Sequence, residues 1–366
     1  MLPESRQLTL AGSPSTIWEN NKAKPVTQSS FKVVIFGAGS IGCYLGGRLL
    51  SSGVNVVMVG RKAMQERLRT SPLTVTDYEG FRFHSQLAEH QYVTFAEAAG
   101  NADLVLVTVK SAATSEAGKQ LAPWVSEGIP VVSLQNGISN AEHLQAAMPN
   151  ANVLAGMVPF NVLQQEPGHF HQGTQGHLMA DRHPSLEHAL PWFEHAGLPL
   201  ELRRDIESVM WSKLLLNLNN PVNALSGVPL LEELSQRDYR RCLAMAQRET
   251  LELLKAAGIP TVKLTGLTTK LIPSVMSLPD WLFTRLAKRM LTIDPVARSS
   301  MWEDLQAGRP TEIDWINGEV VKLAEKLGTD APVNRKLVRL MHQREETEKT
   351  WGASELLNEL TGHSRP

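Results

Sequence analysis

Cysteine is scarce in this chain, since only two of its 366 residues, Cys43 and Cys242, are cysteines. They lie far apart and form no CxxC pair, so the sequence indicates neither a disulfide-stabilised domain nor a structural zinc site. This usage favours a reducing compartment such as the cytoplasm. Long apolar runs are also missing, and without a run of about 18 apolar residues no membrane-spanning helix is predicted.

An excess of either charge is absent as well. The chain has 36 Lys+Arg against 37 Asp+Glu, a formal net charge of -1. Without a basic excess, the composition predicts no nucleic-acid partner. Hydrophobic residues make up 42% and charged residues 20%, as in ordinary globular proteins, which excludes a mostly disordered chain. At roughly 150 residues per domain, the length predicts two to three domains.

Residues 1–30 have no apolar segment of the kind that a signal peptide needs. Glu4, Glu19 and several Pro and Ser residues interrupt them. We expect a polar, weakly ordered leader here, with ordered structure beginning at Phe31. A targeting arm is the alternative interpretation.

Short apolar, β-branched runs alternate with helical patterns in the first half of the chain. Continuous apolar strands separated by helices are typical of a parallel sheet covered on both faces. Residues 164–179, which are rich in Gly, His and Gln, predict a turn-rich hairpin. The sequence therefore predicts an N-terminal Rossmann-type doubly wound α/β domain over residues 31–204. The predicted strands are 32–36, 54–59, 105–109 and 131–134, with 153–158 as a further candidate.

Helical periodicity replaces the strand pattern after about residue 204. From Ile206 onwards there is little strand signal, so we predict an all-α C-terminal domain over residues 205–347. The boundary is expected near residues 202–205. The last clear helix is predicted near 333–347, and residues 348–366 are expected to form a frayed tail.

The glycine-rich segment FGAGSIG at 36–42 contains the spacing GxGxxG. It follows a predicted strand and opens a predicted helix, which is the context that gives this weak motif meaning. Gly37 allows the tight turn, Gly39 lets a pyrophosphate approach the backbone, and Gly42 lets helix and strand pack closely. Free N–H groups at the helix N-terminus suit phosphate. The predicted cofactor-binding residues of this loop are Gly37, Ala38, Gly39, Ser40, Ile41 and Gly42.

The end of the second predicted strand indicates which dinucleotide is bound. An NAD site normally has Asp or Glu there, but this strand continues into Gly60, Arg61 and Lys62. Arg61 lies 19 positions after Gly42, near the expected spacing, and a guanidinium there can pair with a 2′-phosphate. NADP(H) is therefore favoured over NAD(H). The alternative is that Arg61 and Lys62 only solvate a surface turn.

Polar residues follow two more predicted strands. Lys110 comes after 105–109, and Asn136 comes after 131–135. In doubly wound sheets, ligands bind beyond the carboxyl ends of the strands. We therefore expect Lys110 and Asn136 at the cofactor site, although either residue alone would be an ordinary loop residue.

A lysine and two amides recur on a largely apolar stretch of the second half. Lys213, Asn217 and Asn220 are spaced i, i+4, i+7, which predicts one helix face. Such groups are costly to bury without partners, so they indicate either a site or a solvated stripe. His169 and His171 lie two residues apart in the turn-rich region, and we expect no metal there or elsewhere.

A segment rich in polar and capping residues follows at 297–318. Gly308 fits a helix C-terminal cap and Pro310 fits the first turn of the next helix, which Gly328 ends. Glu312 and Glu319 then lie on another face of that helix. A glutamate in a first turn is also a common partner of the helix dipole. The expected buried positions are Ile313, Ile316, Val320, Leu323 and Leu327.

Five segments, in this order, resemble the ketopantoate reductases (2-dehydropantoate 2-reductases). The resemblance runs from residue 31 to about 345, and the last segment is its specific part, whereas GxGxxG is not specific. The segments are FGAGSIG at 36–42, VTVK at 107–110, QNG at 135–137, WSKLLLN at 211–217 and SSMWEDLQAGRPTEIDWINGEVV at 299–321.

The resemblance implies NADPH-dependent reduction of 2-dehydropantoate to pantoate, a step toward pantothenate and coenzyme A. Lys213 corresponds to the family's catalytic lysine, and Glu312 to a glutamate near the nicotinamide and the substrate. Hydride would pass to the ketone carbon, with Lys213 polarising the carbonyl oxygen and acting as general acid. Glu312 would keep Lys213 charged and oriented, or hold a hydroxyl of the substrate.

The resemblance assigns the binding residues too. Asn217 and Ser300 correspond to substrate-binding groups, and Asn220 is expected beside them. Lys110 and Asn136 correspond to the junction of cofactor and substrate, where Asn136 would serve both, and Arg61 corresponds to the 2′-phosphate arginine.

The chain departs from the family pattern on the substrate side. Asn220 precedes Pro221 but lies seven residues after Lys213 rather than eight. A later substrate asparagine is replaced near Leu230, and residues 157–162 differ from the family's Thr-rich strand. A related NADP-dependent reductase of another 2-oxo acid therefore stays open as the alternative.

Two further alternatives belong to other classes. A non-catalytic NADP(H)-binding sensor would not need Lys213 and Glu312, which are both present. An opine or imine-forming dehydrogenase would need a second acid–base pair that the sequence does not show. A homodimer formed through the helical domain stays open.

Overall fold

The computed structural model describes residues 30–264, 267–286 and 296–362. The expected leader lies outside these residues except for Ser30. Within the described ranges no helix combines the length and apolarity needed to cross a lipid bilayer.

Twelve strands lie in the described part of the chain, and they form two sheets. Eight of them have the order β12-β11-β8-β7-β6-β1-β2-β5, in which β11 runs antiparallel to β8 and the other neighbouring pairs are parallel. This confirms the predicted doubly wound sheet. The strands are β1 (Lys32–Phe36), β2 (Asn55–Val59), β3 (Leu73–Asp77), β4 (Arg82–Ser85), β5 (Tyr92–Val93), β6 (Leu104–Val107), β7 (Pro130–Ser133), β8 (Asn152–Met157), β9 (Val162–Glu166), β10 (His169–Gln172), β11 (Leu178–Asp181) and β12 (Leu200–Arg203).

The described residues also form fifteen α-helices, ten of them after β12, where no described residue lies in a strand. The change from strands to helices falls between β12 and α6, near residues 202–205, and the mostly helical C-terminal half is as predicted. The helices are α1 (Ser40–Ser51), α2 (Lys62–Thr70), α3 (Thr114–Leu121), α4 (Asn140–Ala147), α5 (Leu190–His195), α6 (Ile206–Asn217), α7 (Asn219–Ser226), α8 (Leu230–Ser235), α9 (Arg237–Ala256), α10 (Ile272–Met276), α11 (Asp280–Leu286), α12 (Ser300–Gln306), α13 (Ile313–Lys326), α14 (Pro332–Glu346) and α15 (Ala353–Thr361).

The central strand β1 explains why the sheet is covered on both faces. Its alternate residues point to opposite sides, and both sides are apolar. Val33 and Ile35 belong to the core that contains α1, whereas Val34 and Phe36 belong to the core that contains α3 and α4. The carboxyl ends of β1, β6 and β7 are therefore held at one edge, where the predicted site residues follow.

A second, four-stranded sheet has the order β4-β3-β10-β9. β9 and β10 form an antiparallel hairpin over residues 162–172, which begins two residues before the predicted hairpin region 164–179, and β10 pairs in parallel with β3. The sheet packs on α1, because a Cβ at Gly47 would lie 2.6 Å from Cγ1 of Val75. β3 and β4 were not predicted, since short strands such as RFHS carry little apolar signal.

The predicted single helix through Lys213, Asn217 and Asn220 is wrong. Lys213 and Asn217 share α6, but the helix is interrupted at Leu218 and Asn220 belongs to α7. The reason is Pro221, which has no N–H to give to the carbonyl of Asn217 and whose ring crowds that carbonyl.

The helix predicted from Pro310 begins three residues later, at Ile313, and Glu312 is its N-cap residue. A φ of about −65° suits an extended approach to a helix as well as its first turn, so proline does not locate the helix start. Gly308 and Gly328 have φ of +62° and +69° and end their helices, as predicted. Four of the five expected core positions are buried, but Leu327 is 37% exposed.

The expected frayed tail is wrong for most of residues 348–366. Residues 353–361 form α15, and Trp351, Leu356 and Leu357 are buried. The carbonyl of Trp351 also accepts a hydrogen bond of 2.7 Å from the Tyr239 hydroxyl on α9. Such long-range packing stabilises a helix of nine residues, which is too short to be stable by itself.

Candidate active site

The loop between β1 and α1 forms a cradle at the edge of the large sheet. The N–H groups of Gly37 and Ala38 both lie 2.9 Å from the carbonyl of Val59, which ties the loop to the end of β2. Gly37 has a φ of +113°, and a Cβ there would lie 2.3 Å from the Val109 nitrogen, so only glycine fits. At Gly42 a Cβ would lie 2.6 Å from the Gly37 carbonyl oxygen.

The surface above Gly39 is open, in contrast to its two glycine neighbours. A Cβ on Gly39 would meet only the Gly37 carbonyl oxygen, at 4.0 Å. Gly39 is also the N-cap residue of α1, and no side chain caps that helix end. Ser40 and Ile41 begin the helix. The free N–H groups, the open face and the helix dipole fit a dinucleotide pyrophosphate.

Arg61 stands at the end of β2, where the ribose of a dinucleotide would lie. It is exposed and is the N-cap residue of α2. Within the described residues its guanidinium has no ion pair, whereas the neighbouring Lys62 pairs with Glu66 at 3.9 Å. Arg61 is therefore free to bind an anion such as a 2′-phosphate.

The ammonium group of Lys213 is held by two acceptors at the junction of the two halves of the chain. It donates to Oδ1 of Asn136 over 2.9 Å and to the carbonyl of Val158 over 2.6 Å. Burial lowers the pKa of Lys213 to about 8, and the charge of Glu312 opposes that shift. One of its three N–H donors stays available to a ligand.

Glu312 is buried at the N-terminus of α13 and faces the strand ends of the large sheet. Its Oε1 accepts from the N–H and the hydroxyl of Ser111, each at 3.1 Å. Its Oε2 accepts from the side-chain amide of Asn136 over 3.2 Å. Asn136 therefore joins Glu312 to Lys213, since its amide nitrogen donates to the carboxylate and its amide oxygen accepts from the ammonium.

Lys110 connects the same carboxylate to α12. Its ammonium lies 3.6 Å from Oε2 of Glu312 and 2.8 Å from Oδ2 of Asp304, whose other oxygen pairs with Arg309 at 2.9 Å. Burial by itself lowers the pKa of Lys110, but the two carboxylates outweigh it and raise the pKa above its ordinary value. Lys110 from the first half of the chain thus forms one charged network with Asp304, Arg309 and Glu312 from the second half.

A narrow pocket adjoins Lys213. Its polar lining comes from residues of the network and from Asn217, which lies one turn after Lys213 on α6. Apolar side chains complete the wall. The lining residues are Gln135, Asn136, Gly137, Met157, Met210, Lys213, Leu214, Asn217 and Ile316.

Two of the predicted substrate residues lie apart from this network. Ser300 is exposed, and neither its side chain nor that of Asn220 bonds to Lys213, Asn136 or Glu312. The buried hydroxyl is instead that of Ser299, which caps α12 and donates to the backbone carbonyl of Asn220 over 3.2 Å. Roles for Asn220 and Ser300 stay predictions.

Sequence reasoning missed three members of the site. Asp304 lies inside the specific segment at 299–321, and Ser111 directly follows Lys110, so both stood beside recognised residues. Val158 contributes only its backbone carbonyl, which no residue type signals.

The two histidines of the hairpin are both hydrogen-bonded to one threonine hydroxyl. Ring nitrogens of His169 and His171 both lie 2.8 Å from Oγ1 of Thr76 on β3. Over residues 30–264, 267–286 and 296–362, no group of three or more His, Cys, Asp or Glu is arranged to hold a metal ion.

Two family models match the chain, one over each half. The model described as "Ketopantoate reductase PanE/ApbA" matches residues 33–184. The model described as "Ketopantoate reductase PanE/ApbA C terminal" matches residues 205–345. Together they include every site residue described above.

Individual proteins are similar over the same length. The 2-dehydropantoate 2-reductase of Archaeoglobus fulgidus is 26% identical over 316 residues, which cover 85% of this chain and 96% of that protein. The crystal structure of a PanE/ApbA family ketopantoate reductase from Ralstonia eutropha JMP134 has a TM-score of 0.73 at 26% identity, covering 87% of this chain and all of that one.

A D-mandelate dehydrogenase has the same fold. The ternary structure of D-mandelate dehydrogenase with NADH and anilino(oxo)acetate has a TM-score of 0.71 and covers 86% of this chain and 99% of that one. At 19% identity this similarity shows the fold alone.

Proposed function

We propose, because the chain belongs to the ketopantoate reductase family, that it reduces 2-dehydropantoate to pantoate with NADPH. Family membership makes it a nicotinamide-dinucleotide-dependent oxidoreductase. The observation that carries the proposal is the linked set Lys213, Asn136 and Glu312 beside an open phosphate cradle. A carbonyl reduction needs from the protein a positioned donor that polarises the carbonyl oxygen and supplies a proton, and the ammonium of Lys213, held through Asn136, can do both.

A bound nicotinamide would supply the hydride. Lys213 would donate its free N–H to the ketone oxygen, polarise it, and then transfer its proton to the developing alkoxide. Glu312, acting through Asn136, keeps the ammonium at that position. Asn217 lies close enough on α6 to bind a polar group of the same substrate. The Lys110–Asp304 ion pair would hold the two halves together and keep water out.

The assignment is tested by NADPH oxidation, followed by absorbance, with 2-dehydropantoate as substrate. Pyruvate, 2-oxoisovalerate and oxaloacetate are assayed beside it, and NADH replaces NADPH as the cofactor control. Fast NADPH-dependent turnover of 2-dehydropantoate, with slow turnover of the others, is the expected result. No turnover of it by a protein that still binds NADPH would contradict the assignment.

A second candidate, a reductase of another 2-oxo acid, has two observations in its favour. The pocket beside Lys213 has apolar walls from Met157, Met210 and Ile316. The resemblance also implies that the family's later substrate asparagine is replaced near Leu230. Faster turnover of 2-oxoisovalerate, whose side chain is wholly apolar, than of 2-dehydropantoate in the same panel would favour it.

Turnover should decline as the pH rises through about 8. The proton donor is the ammonium form of Lys213, whose pKa burial lowers to about 8, so the active form is lost above that pH. The measurement is kcat at saturating substrate across neutral and alkaline pH. Constant kcat up to a pH of about 10, the ordinary range for lysine, would contradict the role of Lys213 as acid.

Replacing Arg61 by alanine should weaken NADPH binding by about 10- to 100-fold, the loss of one charge-assisted contact. NADH binding should not change, because NADH has no 2′-phosphate. The measurement is the Kd of each cofactor by fluorescence titration. Arg69→Ala removes a matched exposed cation from the other end of α2 and serves as the control. Equal losses for NADPH and NADH would argue against a 2′-phosphate site.

A further inference from the structure

Ser111 bridges the two halves of the molecule at the carboxylate of Glu312. It follows Lys110 after β6 and is 2% exposed. Its N–H and its hydroxyl both lie 3.1 Å from Oε1 of Glu312, at the start of α13. The other carboxylate oxygen faces Asn136 and Lys110. Two donors from Ser111 therefore fix Oε1 of Glu312, while Oε2 contacts Asn136 and Lys110.

The proton of the Ser111 hydroxyl is available to Glu312. The hydroxyl oxygen of Ser111 also lies 2.9 Å from the backbone carbonyl oxygen of Asn136. That carbonyl already accepts a bond of 2.5 Å from the side-chain amide of Asn140, whose nitrogen also lies 3.2 Å from the Ser111 oxygen. A hydroxyl has one proton and two lone pairs. Asn140 thus supplies a donor to both oxygens, so the Asn136 carbonyl does not depend on the serine proton, and the charge of the carboxylate makes Glu312 the stronger acceptor of that proton.

Hydrogen bonds to buried side chains fix the orientation of Asn140. Its amide oxygen accepts from the Thr114 hydroxyl over 2.7 Å, so its nitrogen points toward Ser111. Thr114 in turn accepts from the Gln135 amide over 2.6 Å. These three side chains are buried, and bonds of this kind are stronger where water is excluded. The donor that Asn140 presents to Ser111 is therefore held in place by a chain of bonds within the first half of the molecule.

We propose that Ser111 is a positioning residue, whose hydroxyl holds Glu312 against Asn136 and thereby holds the Lys213 ammonium at the reacting carbonyl. The path has three links: Ser111 to Glu312, Glu312 to Asn136, and Asn136 to Lys213. Rotation of the carboxylate away from Ser111 would also carry its second oxygen away from Asn136. This inference rests on the proposed reduction of a 2-oxo acid.

The test is Ser111→Ala, which removes the hydroxyl and keeps the N–H. We expect kcat to fall about tenfold with an unchanged KM for NADPH. The alkaline decline of kcat should move to lower pH, because the charge of Glu312 raises the pKa of Lys213 and is held less firmly. Glu312 is the charged group that acts on Lys213, and Lys110 is the cation on the same carboxylate.

A second readout needs no turnover. The rate of acetylation of Lys213 by trace acetic anhydride, measured by mass spectrometry against pH, gives the titration midpoint of that lysine directly. The midpoint should fall in Ser111→Ala and return to the wild-type value in Ser111→Thr, which restores a hydroxyl. Thr250→Val removes a buried hydroxyl on α9, away from the site, and should leave midpoint and kcat unchanged.

Two outcomes would overturn the role of Ser111. One is a wild-type midpoint and kcat in Ser111→Ala, and the other is an equal shift in Thr250→Val, which would indicate loss of stability alone. If the wild-type protein reduces none of the 2-oxo acids, the proposed function fails by itself. The acetylation midpoints still test the link from Ser111 to Lys213 in that case.

Discussion

Replacing Lys213 by alanine is expected to lower kcat by a factor on the order of 10² to 10⁴, the usual contribution of a general acid or a single oxyanion donor. NADPH binding should not change, because the phosphate loop and Arg61 lie on other elements. The fold should survive, since a pKa lowered to about 8 means that burying the ammonium is itself unfavourable. The measurements are kcat, the NADPH Kd and the melting temperature.

Lys322→Ala provides a matched control for this change. Lys322 is a half-exposed lysine of the helical half that pairs with Glu319 on the same helix, α13, away from Asn136. It should retain wild-type turnover. Exogenous primary amines should restore part of the activity of Lys213→Ala, because the vacated space borders the pocket. Near-normal turnover of Lys213→Ala without added amine would remove Lys213 from the acid role.

Glu312→Gln should have the second largest effect, with kcat lower by about 10²- to 10³-fold. The amide keeps the size of the side chain but removes the charge that raises the pKa of Lys213, so less ammonium is present near pH 8. Its NH₂ group must also face either Ser111 or Asn136, and each of these is itself a donor. Steady-state kinetics across pH would show a lower kcat together with an alkaline decline that begins earlier.

Glu319→Gln separates this effect from a general loss of stability. Glu319 is a second buried carboxylate on α13, and it also accepts a hydrogen bond from the first half of the chain, from Ser139 over 2.5 Å. Both variants should therefore lose similar stability, by about 1 to 3 kcal/mol. Only Glu312→Gln should lose turnover, and equal losses of turnover in both would reduce Glu312 to a structural residue.

The parallel sheet and the phosphate loop could be predicted because each is determined by local sequence. Strands such as β1 are apolar on both faces, and the turn at Gly37 tolerates no side chain. The fold therefore requires both the apolar runs and the glycine, and both are visible in the sequence. The site itself was predicted one residue at a time. Lys110, Asn136, Lys213 and Glu312 do meet in one network, although they are spread over 203 positions of sequence.

The parts that could not be predicted depend on tertiary contacts. The carbonyl of Val158 is chemically the same as any other carbonyl, and only the fold brings it to Lys213. The helix α15 has only nine residues, and it is stabilised because Leu356 and Leu357 are buried in the same core as Trp351. Of the two adjacent serines, Ser299 is the buried one because its hydroxyl caps α12, and the sequence does not distinguish it from Ser300.

The interruption at Leu218 places Lys213 and Asn220 on different helices. Pro221 forces the break, so a change in the number of residues between Asn217 and Pro221 turns α7 about its axis without turning Lys213. Insertions or deletions at this junction would therefore reorient the side chain of Asn220 and leave Lys213 in place, so the two side chains can be repositioned independently of each other.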